Sequence, residues 1–150
     1  LHHAGGALAL ADAGHVDHLS GGEDVGEHFL AERVLAGVGG AQLDEVALTF
    51  PEMKILGTHV GNPWEEEMMI LAWKHPNVYV ETSARLARHW PARLKEFAGG
   101  YGKDKIIFGT DYPLLSFKRS VQDIHECGFT EEATRKILRD NAAKVFGLDV

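Results

Sequence analysis

Three apolar runs, at residues 53–58, 78–80 and 105–110, recur about every 25 residues, and a helical stretch follows each one. That interval is far too long for a hairpin and suits parallel βαβ units, whose crossovers are right-handed. Pro63 stands where a first crossover helix would begin, with Glu65, Glu66 and Glu67 in the turn where the helix dipole favours negative charge. Trp64, Met68 and Leu71 share one face at i, i+4 and i+7, so all three are expected to be buried. Pro91 and the pair Gly99-Gly100 bracket a second helix. A third spans 117–127, with Gly128 as its C-cap. Thr130 then caps a further helix, and Asn141 is expected to start the closing helix through Phe146. With a short helical pattern over 44–50, the chain from residue 43 reads as α/β, a helix followed by three strand–helix units. A closed (β/α)8 barrel needs eight such units and about 250 residues.

Residues 1–42 have a different texture. They hold nine of the 17 glycines and five of the nine histidines, with Arg33 the one Lys or Arg. Glycine pairs break every apolar patch within a turn or two, so no strand or helix period persists. We expect this segment to be poorly structured, either as a flexible leader or as mis-framed sequence, and residues 43–150 to form the domain. Because the chain opens on Leu1 rather than Met, it is expected to be a truncated part of a longer protein.

Composition bounds the partners. A formal charge of -7 without a basic cluster argues against nucleic acid and anionic membrane surfaces. No apolar run reaches the ~20 residues that span a bilayer. The single cysteine, Cys127, fits a reducing compartment, so a cytoplasmic location is expected.

His59 and Asp111 each follow an apolar run immediately. Parallel β/α sheets bind ligands at the C-terminal ends of their strands. One strand separates the two, which places them about two inter-strand spacings, or ~10 Å, apart along the sheet. An imidazole and a carboxylate converging there suit a divalent metal, or water activated beside one. The same residues equally serve as a hydrogen-bonded structural histidine and a turn-capping aspartate.

Longer stretches of sequence narrow the choice. Phe50-Pro51-Glu52-Met53-Lys54-Ile55, His59-Val60-Gly61-Asn62-Pro63-Trp64, and Lys74-His75-Pro76-Asn77-Val78-Tyr79-Val80 occur in order with Phe108-Gly109-Thr110-Asp111-Tyr112-Pro113 and Asn141-Ala142-Ala143-Lys144-Val145-Phe146-Gly147-Leu148. Together they resemble the amidohydrolase-related family, in the branch that includes aminocarboxymuconate-semialdehyde decarboxylase. The resemblance implies the C-terminal portion of a metal-dependent TIM barrel, with strands six to eight present. It also implies a divalent metal, zinc by expectation, with Asp111 as a ligand and His59 acting beside the metal on water or substrate. The implied reactions on a small-molecule substrate are hydrolysis of a carbonyl-type bond or non-oxidative decarboxylation. The family's first-strand ligand pair has no counterpart here, and its fifth-strand histidine would fall within 1–42. His2, His3, His15, His18 and His28 lie there without a convincing strand before them. A non-catalytic fragment is therefore the competing reading.

Arg85 and Trp90 follow the second run and are candidates to contact substrate, Arg85 through a carboxylate. Arg88, Thr82 and Ser83 share that location. Gly99–Lys103 lacks the Ser/Thr and the preceding strand of a phosphate loop. Three parallel strands leave two open edges, so self-association, including a homo-oligomer, is expected.

Overall fold

The computed structural model describes residues 40–149. The three apolar runs form one parallel sheet in the order β1 (Ile55–Gly57), β2 (Val78–Glu81), β3 (Ile106–Ile107). Leu56 pairs with Tyr79, and Glu81 with Ile107. Helices α1 (Gly40–Thr49), α2 (Glu65–Lys74), α3 (Ala92–Gly99) and α4 (Phe117–Glu126) alternate with the strands.

Period-two alternation decides which side chains meet the helices. Ile55, Val78, Val80 and Ile106 share a buried cluster with Met68, Leu71, Leu94, Phe97 and Ile124 from the helical layer. Leu56 and Ile107 point the other way and pack with Val145, Ala142 and Phe146. Both faces are therefore covered, as a parallel sheet requires. Burying side chains such as Phe97 and Leu94, 1% and 0% exposed, is worth about 1.5–3 kcal/mol each.

The caps are largely those expected. Thr130 Oγ1 accepts from Ala133 N at 3.2 Å, and Gly128 takes φ +76° beyond α4. One expectation fails. Trp64 stays 42% exposed, because it precedes α2 rather than sitting inside it. Asn141 starts α6 (Asn141–Phe146) as expected, but without a break before it: α5 (Glu131–Arg135) and a π-helical turn (Lys136–Asp140) run continuously into it. The Asn141 side chain has another task. Buried Asn141 Nδ2 donates to the carbonyls of Lys103 and Ile106, both at 2.7 Å, and so ties the closing helix to β3.

Asp44 clamps α1 onto α2. Its carboxylate accepts from Lys74 Nζ at 2.6 Å and bonds His75 Nε2 at 2.5 Å. Those partners hold the Asp44 carboxyl below its ordinary range, with the Lys74 hydrogen bond the largest cause. Helix α1 crosses the compositional boundary at 42/43. The expectations for residues 1–39 lie outside the described residues. Among the described residues no helix is long and apolar enough to cross a membrane.

Candidate functional site at the strand ends

Each strand leaves the sheet through backbone that L-residues rarely adopt. His59 and Val60 follow β1 with φ 54° and 58°, Ala84 follows β2 with φ 57°, and Asp111 follows β3 with φ 58°. These are all the positive-φ non-glycine residues among the described residues. Each conformation costs about 1–3 kcal/mol and persists only where its surroundings enforce it. Their concentration at the C-terminal rim marks the end where β/α proteins keep their chemistry.

Ser83 is the hub of this rim. Its Oγ lies 3.0 Å from His59 Nδ1 and donates to Glu81 Oε2 at 2.6 Å. The Ser83 backbone N–H donates to Glu81 Oε1 at 2.9 Å, and the Ser83 carbonyl stands 3.3 Å from His59 Nδ1. Burial pushes the Glu81 carboxyl above its ordinary value; hydrogen bonds from the Ser83 hydroxyl and N–H, and the nearby His59, oppose that rise. Across β2, Gly109 N donates to Thr82 Oγ1 at 3.2 Å, which fastens the end of β3 to the same network.

Sheet order puts His59 and Asp111 just beyond the ends of the two outer strands, with Glu81 ending the strand between them and Ser83 two residues further on. Asp111 is exposed, and its carboxylate has no hydrogen-bond or ion-pair partner among the described residues. Its backbone carbonyl accepts from Leu114 N at 2.8 Å, closing the turn that carries it. A free carboxylate here is a suitable oxygen donor for a divalent cation. A catalytic zinc centre takes three protein ligands, however, and no group of three His, Cys, Asp or Glu among the described residues could hold a metal. Asp111 therefore fits as one ligand, and the described residues do not complete a centre. The five N-terminal histidines lie outside those residues.

Arg85 remains on the rim, bonded to Asn62 Oδ1, with Glu65 Oε1 3.9 Å away. Trp90, expected among the substrate contacts, is 4% exposed and belongs to the core. Its indole N–H donates to the Arg85 carbonyl at 3.1 Å, so it holds the rim segment from behind and offers substrate no surface. Arg88 is committed to α4 through the fully buried Asp123, whose Oδ2 accepts from Arg88 N at 2.7 Å. Glu65 and Glu66 turn to different arginines, Arg85 and Arg93, rather than to each other. Cys127 packs beside the core, and burial raises its thiol.

Glu81 is the residue that motif reading passed over. The signal was available: in Val78-Tyr79-Val80-Glu81 the period of two sets Glu81 opposite the helix-packed valines, so a carboxylate ends the inward face of an apolar strand.

Comparison with known proteins bears on the family and the fold. The sequence profile of the family described as Amidohydrolase matches residues 16–148. An uncharacterized TIM-barrel protein from Bordetella bronchiseptica superposes with a TM-score of 0.62 at 24% identity, covering 71% of this chain and 38% of that one. Amidohydrolase 2 from Bifidobacterium longum subsp. infantis gives a TM-score of 0.61 at 18% identity, covering 81% of this chain and 50% of that one. The chain thus spans half or less of these solved structures, and the likeness establishes a shared TIM-barrel fold. No curated protein matches the sequence significantly.

Proposed function

The chain belongs to the amidohydrolase family, and on that premise we propose that its strand ends contribute to a metal-dependent hydrolytic site acting on a carbonyl-type bond of a small molecule. The observation that carries the reading is the rim itself: His59 and Asp111 end the outer strands, and the half-buried Glu81 carboxylate with the buried Ser83, at the end of the middle strand, holds the histidine ring. Asp111 would hold the ion, for which zinc is the expected metal. Such an ion lowers the pKa of water and polarises a carbonyl oxygen. His59, held at Nδ1 by Ser83, serves as the group that takes and returns a proton. Arg85, by releasing Asn62, presents a guanidinium suited to a substrate carboxylate.

Non-oxidative decarboxylation by the same residues is the reading favoured by the runs around His59 and Asp111, which resemble the decarboxylase-containing branch. One experiment separates the two. The protein is assayed on a panel of activated esters, amides and unsaturated carboxylic acids, before and after chelation, and again after zinc is restored. Ester or amide cleavage that is lost on chelation and regained with zinc supports the proposal. Hydrolysis indifferent to chelation contradicts it. Metal-dependent release of carbon dioxide without hydrolysis transfers the assignment to the carboxy-lyase.

A further inference from the structure

A single proton at Ser83 determines more about His59 than its position. The 2.6 Å contact between Ser83 Oγ and Glu81 Oε2 leaves the serine proton one partner of choice, because a carboxylate only accepts. With that proton committed, Ser83 Oγ faces His59 Nδ1 with a lone pair at 3.0 Å. The second neighbour of Nδ1, the Ser83 carbonyl at 3.3 Å, is also an obligate acceptor. Two acceptors on one ring nitrogen require that nitrogen to carry the hydrogen. Nε2 has no protein hydrogen-bond partner among the described residues.

We infer that Ser83 and Glu81 are positioning residues that lock neutral His59 in its Nδ1–H tautomer and leave the Nε2 lone pair for a proton from the reaction centre. This rests on the hydrolytic reading for its purpose, although the tautomer itself follows from hydrogen-bond geometry alone. The neutral histidine side chain in water prefers the opposite, Nε2–H form, so the relay works against the intrinsic preference. The arrangement also explains why three separate stretches keep their chemistry together. Glu81 ends β2, Ser83 follows two residues later, and Gly109, two residues past β3, leaves the gap in which the carboxylate sits: a Cβ at 109 would lie 1.7 Å from Glu81 Oε1. As His59 gains a second proton during turnover, the Glu81 carboxylate two hydrogen bonds away would stabilise the imidazolium.

The test is long-range 1H–15N correlation spectroscopy of the full chain, with His59→Gln identifying the signal and the pH held where the ring is neutral. The wild type should show a pyrrole-like Nδ1 and a pyridine-like Nε2. Ser83→Ala should shift the population measurably toward Nε2–H, leaving the Ser83 carbonyl as the one remaining acceptor, and Ser83→Thr should restore the wild-type pattern by returning the hydroxyl. Amide fingerprint spectra establish that each variant is folded. A wild-type Nε2–H tautomer overturns the inference, whether or not the variants fold. An unchanged population in folded Ser83→Ala overturns it as well. Neither readout requires turnover, so failure here is distinguishable from failure of the hydrolytic reading, which the chelation assay addresses.

Discussion

The Glu81 carboxylate occupies the space that Gly109 leaves open, since a Cβ on residue 109 would stand 1.7 Å from Oε1 and 3.3 Å from Ser83 Cβ. The end of β3 and the end of β2 are thereby matched in shape, and Gly109 N–H bonding to Thr82 Oγ1 at 3.2 Å prevents the strands from moving apart to relieve a clash. Gly109→Ala should therefore destabilise the protein by about 1–3 kcal/mol, the usual cost of overpacking. Adding Glu81→Ala should recover much of that loss, because the obstructing carboxylate is gone. A double-mutant cycle by urea unfolding measures the coupling; additive effects would place Glu81 elsewhere.

Asn141 makes a second such prediction. Its Nδ2 donates to two strand-end carbonyls at 2.7 Å from a site that is 4% exposed. Asn141→Ala should cost about 2–3 kcal/mol, since each lost bond is worth roughly 1 kcal/mol and the carbonyls lose their partner. Asn141→Asp should be at least as damaging, because a carboxylate offers those carbonyls no hydrogen. Faster amide exchange in β3 than in β1 would locate the damage.

Two carboxyls shift in opposite directions, and stability should respond to pH accordingly. Asp44 is lowered below 3.8 by Lys74 first and His75 second. Its contribution is present above that value and lost as pH falls through the lowered one. Glu81 is raised above 4.5 by burial, so its contribution is present below 4.5 and lost as pH rises through the raised value. Asp44→Asn should flatten the acid limb of the stability profile, and Glu81→Gln the decline above 4.5. Urea midpoints across the acid-to-neutral range check both; a Glu81→Gln profile parallel to wild type would show that the carboxyl titrates normally.

Much of this was legible in the residues alone, for identifiable reasons. Ile55-Leu56-Gly57 announces a strand as a short run buried on both faces, and Val78-Tyr79-Val80 as a β-branched and aromatic run that alternates buried with half-buried positions. His59 and Asp111 stood out because they end such runs. What stayed hidden depends on partners distant in sequence. Trp90 looks like a pocket residue until Phe129 and the Arg85 carbonyl claim its ring and its N–H. Asn141 looks like a helix cap until β3 supplies its carbonyls. The strand's period of two places Glu81 on the inward face, but its partners do not follow from that: they are Ser83 and Gly109, one of them 28 positions away by residue number.

The division of labour between Asp111 and His59 is the central claim, and metal content measured beside turnover tests it most directly. Protein purified without chelator is analysed for zinc by elemental analysis as wild type, Asp111→Asn and His59→Asn, each assayed on the ester that the wild type cleaves. Asp111→Asn should lose most of its metal, because a neutral amide oxygen is a poorer ligand than a carboxylate. His59→Asn should keep its metal while turnover falls about 10²–10⁴-fold, the usual loss for a general acid–base group. Full metal and activity in Asp111→Asn, or metal loss in His59→Asn as complete as in Asp111→Asn, would contradict the account.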